Sequence, residues 1–217
     1  MTEILLIRHG ETAWNAVRKL QGHLDIPLNA EGRRQAKALA AGLQQEKLAA
    51  IISSDLQRAM QTAGEIARLQ GLPTRIDVDL RERCFGDFEG KLYSELPEIY
   101  PEEYAHWRRR DPDFHFPPKI DDATNIGESI REFQQRTVHC ILHYAEQFAG
   151  QKIAIVAHGG VLECAYRAAM NLPLNAERTI TIYNASINRF VCRDRQLTLT
   201  NWGEVQHLVP SVLDELE

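Results

Sequence analysis

Ile4-Leu5-Leu6-Ile7-Arg8-His9-Gly10 opens the chain with a four-residue apolar run that stops at a cation, an imidazole and a glycine. A continuous apolar run of this length reads as a strand buried on both faces, the pattern of a parallel sheet between helices. Open α/β sheets bind ligands beyond the carboxyl ends of their strands, so Arg8 and His9 are placed where a ligand would sit. Gly10 suits a tight exit where backbone comes close to that ligand.

The rest of the chain repeats the pattern. Asn29 caps a helix expected from Ala30 to Lys47, and Ala49 to Ser53 forms a second short buried strand. A helix follows from Asp55 to Gln70, closed by Gly71 and Pro73. Arg75 to Leu80 alternates and reads as a third strand. Glu128 to Ala149 is a long amphipathic helix. Lys152 to Ala157 is another buried strand, which passes through His158-Gly159-Gly160 into a helix ending near Asn171. Ala185 to Asp194 and Gln196 to Trp202 read as a terminal hairpin. Between Arg81 and Gly127, prolines 97, 101, 112, 117 and 118 interrupt the pattern while Trp107, Phe114 and Phe116 punctuate it. So many aromatics fit a lid-like excursion over the sheet better than a linker. The alternation predicts a three-layer α/β/α fold with a mainly parallel central sheet, organised as one domain over residues 1–217.

Composition bounds the function. The 217 residues carry a formal charge of −5, with 44% hydrophobic and 25% charged residues. A nucleic-acid or membrane-surface partner has no support from that balance. No stretch approaches the ~18 apolar residues of a membrane helix, and the first apolar run is too short for a signal peptide. The four cysteines, 84, 140, 164 and 192, are scattered without a C-x-x-C pair, which disfavours zinc and disulfide frameworks and predicts a reduced, cytoplasmic enzyme. His139 and His143 share one helix face at i,i+4, but no third ligand accompanies them, so surface or packing roles are expected and no metal site is assigned. Arg108-Arg109-Arg110 is the one basic cluster and reads as a solvated helix face.

The charged residues collect at strand exits. The first strand ends at Arg8-His9, the second at Ser53-Ser54 with Arg58 one turn further, and the third runs into Arg81-Glu82-Arg83. The late strand ends at His158, at the start of a helix whose free N–H groups favour anions. Two guanidiniums, two imidazoles and a helix N-terminus around one point describe a phosphate site, since Arg presents a planar fork that matches phosphate oxygens. Ser53 and Ser54 read as turn and cap residues. Glu82 has a plain alternative, an ion pair with Arg81 or Arg83.

These residues sit in an ordered series of motifs. Leu6 to Thr12 with Asn15, Leu28 to Gly32 with Gln35-Ala36, Ser53 to Ala59 with Thr62-Ala63, Leu80-Arg81-Glu82 with Phe85-Gly86 and Glu89-Gly90, Gly127-Glu128-Ser129, and Val156 to Gly160 together span residues 6–160. The series resembles the histidine phosphatase superfamily, also called the phosphoglycerate mutase-like family. The resemblance implies that His9 is a nucleophile that takes the phosphoryl group, and that Arg8, Arg58 and His158 clamp it. Asn15 would donate to the phosphate, and Gly159 would help bind it at the helix start. Glu82 would protonate the leaving oxygen and then help activate water. Thr12, Gln21, Gly22 and His23 would line the substrate entrance.

The resemblance also leaves a choice of reaction. Mutases of the family usually follow the acidic Glu with Arg-His-Tyr-Gly, whereas this chain reads Glu82-Arg83-Cys84-Phe85-Gly86 and continues as Asp87-Phe88-Glu89-Gly90, like phosphatase members. Trp107 to Arg110 before Pro117-Pro118 partly echoes an Arg-Arg pair of the mutases. The expectation is a phosphomonoester hydrolase acting on a small phosphorylated metabolite. It would need no cofactor and could form a homodimer. The alternatives are a phosphoglycerate mutase, with 2,3-bisphosphoglycerate as its primer, and a catalytically silent binder of phospho-ligands.

Overall fold

The computed structural model describes residues 1–120 and 125–208. Its frame is a six-stranded sheet in the order β3-β2-β4-β1-β5-β6. The strands are β1 (Thr2–Arg8), β2 (Ala50–Ser53), β3 (Thr74–Ile76), β4 (Lys152–Ala157), β5 (Ile187–Arg193) and β6 (Gln196–Glu204). The first four run parallel, and the β5–β6 hairpin extends the sheet antiparallel beside β1.

Alternation along β1 separates two cores. Leu5 and Ile7 pack with Ile51, Val156 and Leu39 under helices α2 (Ala30–Gly42) and α3 (Gln57–Gln70). Ile4 and Leu6 pack with Ile155, Phe133 and Leu162 under α6 (Ile130–Gln147) and α7 (Gly159–Met170). All four β1 residues are 1% exposed or less, which is why the run carries no polar alternation. The expected three-layer α/β/α architecture is thus the observed one.

Several boundaries differ from the sequence reading. Asn29 does cap α2, accepting from Gly32 N at 2.7 Å, but the helix stops at Gly42 rather than Lys47. Helix α3 starts at Gln57, because the Asp55 carboxylate is occupied by a bidentate bond to Arg81 and does not cap it. The third strand is only three residues long. Asp77 accepts the backbone N–H of Asp79, an Asx turn that converts residues 78–80 into a 3-10 turn.

The excursion is also more ordered than its prolines suggest. It contains the one-turn helix α4 (Leu96–Ile99) and α5 (Pro101–Arg108), with α1 (Ala13–Ala16) nearby after β1. Pro97 and Pro101 occupy first-turn positions, where a missing N–H costs nothing, so they start helices instead of breaking them. Phe88, Phe116, Leu20 and Leu96 form a third core there, edged by Phe85, Tyr93 and Trp107. Residues 121–124 of the excursion, and 209–217 of the expected single domain, lie outside the described residues.

Helix α2 is set against the loop after His9 with no space to spare. A Cβ added at Gly32 would lie 2.0 Å from the Glu11 carbonyl oxygen, whereas one at Gly64 on α3 would meet nothing. Helix propensity alone favours Ala over Gly by ~1 kcal/mol at both sites. Gly64→Ala is therefore expected to stabilise the protein by about 0.5–1 kcal/mol. Gly32→Ala should destabilise it by about 1–3 kcal/mol through overpacking. Urea unfolding of the two variants checks the opposite signs.

Candidate active site

In-register pairing from Glu3–Lys152 to Arg8–Ala157 brings the ends of β1 and β4 side by side. His9 and His158, the next residue on each strand, come to 5.2 Å between ring centroids. Arg58 enters from the second residue of α3 and Glu82 from the segment after the 3-10 turn. Arg8, His9, Arg58 and Glu82 line one small pocket with Asn15, Gln21, Gly22 and Lys19. The four principal polar residues, Arg8, His9, Arg58 and His158, are all 3% exposed or less.

Hydrogen bonds fix the state of both rings. His9 Nδ1 lies 2.7 Å from the Gly10 carbonyl. A carbonyl only accepts, so Nδ1 carries the proton and Nε2 keeps its lone pair. Arg58 Nε donates to His158 Nδ1 at 3.2 Å, so that nitrogen is unprotonated and Nε2–H donates to Ser54 Oγ at 2.9 Å. Ser54 therefore faces a donor, not a base. This is no serine nucleophile pair, in line with its turn role. Burial, helped by the charges of Arg58 and Arg8, holds the His9 pKa well below its ordinary value. Burial also lowers that of His158, with Arg58 the next cause.

The arginine side chains are oriented by backbone. Arg58 donates to the carbonyls of Gly22 (2.8 Å) and Leu24 (2.9 Å), and Arg8 donates to that of Ile182 (2.6 Å). Gly22 has φ +51°, a left-handed conformation that turns its carbonyl onto Arg58.

Glu82 is 7% exposed and bridges two N–H groups: Arg83 N to Oε1 at 2.7 Å and Gly160 N to Oε2 at 3.0 Å. Arg81, one of the partners weighed for it, is bound to Asp55 instead. The backbone of Glu82 is gripped from outside, its carbonyl accepting from His23 Nε2 and from Arg136 of α6. Arg136 is itself held bidentate by Glu128.

Other expected positions divide. Asn15 Oδ1 accepts the N–H and hydroxyl of Thr12, a capping box that leaves its amide nitrogen on the pocket wall. Thr12 is fully buried in that cap, also bonded to Gln21 Oε1, and His23 reaches the backbone of Glu82. Gly159 is the buried first residue of α7. His139 and His143 are exposed on α6, and no cluster of metal-ligating residues occurs among the described residues.

One expectation is corrected. Arg108 to Arg110 is not simply a solvated helix face. The chain turns at Arg110, with φ +54°, and aims it at Glu163 of α7, 2.5 Å away. Arg108 and Arg110 both line a second cavity, of about 290 Å³, which shares Glu82, Phe85 and Trp107 with the phosphate-sized pocket. Arg136 and Lys19 were not singled out by the sequence, and neither carries a local signal; Ser54 and Gly160 were noted only as a turn residue and as part of the motif at His158.

The chain belongs to the histidine phosphatase superfamily (branch 1), whose family profile matches residues 4–205. It is 39% identical to phosphoglycerate mutase-like protein 4 of Arabidopsis thaliana, over 95% of this chain and 86% of that one. It is 35% identical to a metal-independent phosphoserine phosphatase of the same plant, over 96% and 84% of the two chains. A probable phosphoglycerate mutase of Escherichia fergusonii is also 35% identical, over the full length of both. Among solved structures, Bacillus stearothermophilus YhfR superposes with a TM-score of 0.85 at 31% identity, covering 95% of this chain and 99% of that one. No helix among the described residues is long and apolar enough to cross a membrane.

The neutral histidines carry a stability consequence. With the folded pKa below the unfolded one, the unfolded chain binds more protons below about pH 6.5, so stability falls as pH drops through that point. Each buried His contributes a slope of up to ~1.4 kcal/mol per pH unit. Urea unfolding between pH 7.5 and 5 should show this loss, and the double variant His9→Gln, His158→Gln should lessen it, with His23 and His207, whose pKa values burial also lowers, keeping a remainder.

Proposed function

We propose that the protein is a phosphomonoester hydrolase that works through a phosphohistidine on His9. The observation that carries this reading is the pinning of His9 Nδ1 on the Gly10 carbonyl, which leaves Nε2 as a neutral nucleophile in a pocket lined by Arg8 and Arg58.

In the first step Nε2 attacks phosphorus and the bond to the leaving oxygen breaks. Arg8, Arg58 and the Asn15 amide meet the three non-bridging oxygens, where charge accumulates, while His158, its N–H on Ser54, orients Arg58 through Nδ1. Glu82, in its acid form, gives its proton to the leaving oxygen. In the second step a water attacks phosphorus, Glu82 takes a proton from it, the P–N bond breaks and inorganic phosphate leaves. Positive charge comes from guanidiniums, so no divalent ion or organic cofactor is required. The substrate is a small phosphorylated molecule, and neither nucleic acid nor membrane is a partner of this site.

A mutase shares the first step and differs in the second, returning the phosphate to a bound hydroxyl before water reaches it. Arg110 beside the larger cavity, together with the mutase-type names of two relatives, keeps this reading as the competitor. The phosphatase is favoured by the run Gly86-Asp87-Phe88-Glu89-Gly90 and by the phosphoserine phosphatase relative.

Purified protein is expected to hydrolyse p-nitrophenyl phosphate in the presence of EDTA and to be inhibited by vanadate. Acid quench should trap a base-stable, acid-labile phosphoenzyme that His9→Ala abolishes. Full activity of His9→Ala would overturn the mechanism, and interconversion of phosphoglycerates without phosphate release would establish the mutase. A separate experiment isolates Glu82. In single turnover, Glu82→Gln should slow phosphorylation by an alkyl phosphate about 10²–10⁴-fold, the usual worth of general acid catalysis. It should slow phosphorylation by p-nitrophenyl phosphate far less, because that leaving group needs no proton.

A further inference from the structure

The larger cavity has a chemistry of its own. It adjoins the phosphate pocket, sharing Glu82, Phe85 and Trp107 with it, and is lined also by Phe133, Leu174 and Glu163. At ~30 Å³ per water its 290 Å³ has room for about ten water-sized groups, the lower end of small-molecule sites. A three-carbon acid such as glycerate brings about seven heavy atoms, two of them already at the phosphate, and leaves much of this space unfilled.

Among the charged residues that line it, Arg83 and Glu163 are held in ways that leave a polar atom for a ligand. Arg83 is 5% exposed and lies over the Phe116 ring, 4.6 Å from its centroid. It donates from Nε to the Glu128 carbonyl and from Nη2 to that of Phe114, which leaves Nη1. No carboxylate among the described residues pairs with it. Burial pushes its pKa down to about 10, so it is still a cation at neutral pH. Glu128 and Glu82 offset part of its burial from a distance, but a buried guanidinium with no direct ion-pair contact stays costly, and an anionic ligand group would relieve that cost.

Glu163, on α7, is bound through Oε1 by both Arg110 and Arg167, so Oε2 stays available to hydroxyl donors in the cavity. Arg167 also ties down the carbonyls of Pro173 and Ala176, which fixes the segment that puts Leu174 on the cavity wall.

We propose that this cavity is the leaving-group site and that it selects phosphomonoesters of a bulky acidic polyol, with the acid group at Arg83 and hydroxyls at Glu163. The assignment rests on the phosphatase reading above. The cavity is built for a partner that is both larger than a three-carbon acid and negatively charged, and each property has its own residue.

Four primary alkyl phosphates of similar leaving-group reactivity separate size from charge: 6-phosphogluconate, glucose 6-phosphate, 3-phosphoglycerate and glycerol 3-phosphate. The expected kcat/KM for 6-phosphogluconate exceeds each of the other three at least about tenfold. Arg83→Gln should cut the preference for 6-phosphogluconate over glucose 6-phosphate about 10- to 100-fold, the worth of a hydrogen bond to a charged group. Arg83→Lys should restore part of it. Leu174→Trp, which adds bulk to the cavity wall, should lower the ratio of 6-phosphogluconate to 3-phosphoglycerate about tenfold. It tests size even if the Arg83 variants fold poorly. A 3-phosphoglycerate rate equal to or above that of 6-phosphogluconate overturns the proposal. So does turnover of p-nitrophenyl phosphate with none of the four esters cleaved, an outcome that leaves the phosphatase reading intact. If neither p-nitrophenyl phosphate nor any of the four esters is cleaved, the phosphatase reading falls. The cavity is then judged by thermal shift: greater stabilisation by 6-phosphogluconate than by 3-phosphoglycerate supports it, and equal shifts overturn it.

Discussion

The parallel pairing of β1 with β4 is the constraint from which the site follows. Strand register has a period of two, and a slip by one residue would turn Leu5 and Ile7 from one core to the other. Because both faces of β1 are buried under helices, that slip is strongly disfavoured. The register fixes Arg8 opposite Ala157, and the His9 N–H donates to the Ala157 carbonyl at 3.0 Å. The two imidazoles meet because two apolar cores on opposite faces permit only one alignment of the strands.

Around that pair, backbone groups do most of the orienting. Carbonyls of Gly10, Gly22, Leu24 and Ile182 hold His9, Arg58 and Arg8. Such contacts resist change by mutation and add no competing charge. They also settle protonation, since a carbonyl on one ring nitrogen and a guanidinium on the other ring dictate which nitrogens carry hydrogen. Glu82 is the exception, a carboxyl group seated on two N–H groups. It fits only because residue 160 is glycine, where a Cβ would lie 2.2 Å from its Oε1. Its segment is clamped by Arg136, which links the geometry of the acid to α6 and Glu128.

The aromatic excursion links chemistry to selectivity. Its small core fixes Phe85 and Trp107, which belong to both the phosphate pocket and the larger cavity. Edge-to-face contacts, such as Phe88 with Phe116 at 5.0 Å, make it a packed wall rather than a loose strap. Sequence variation in this segment would alter the walls of the larger cavity while Arg8, His9, Arg58 and His158 stay on strand exits and the start of α3.

The sequence by itself determined the α/β/α layering and the placement of Arg8, His9, Arg58, Glu82 and His158 at strand ends and helix starts. Those features are written in local signals: a buried strand must be an apolar run, and its abrupt end in charge is visible within a few residues. It did not determine that Pro97 and Pro101 start helices, that Asp55 pairs with Arg81, or that Arg110 turns inward to Glu163. The tertiary structure alone decided the His158–Ser54 contact across 104 residues and the grip of Arg136 on Glu82 across 54. Such contacts depend on which segments the sheet brings together. A side chain's partner is set by three-dimensional packing that has no period in the chain, so the cations at the strand ends were legible while the walls of the second cavity were not.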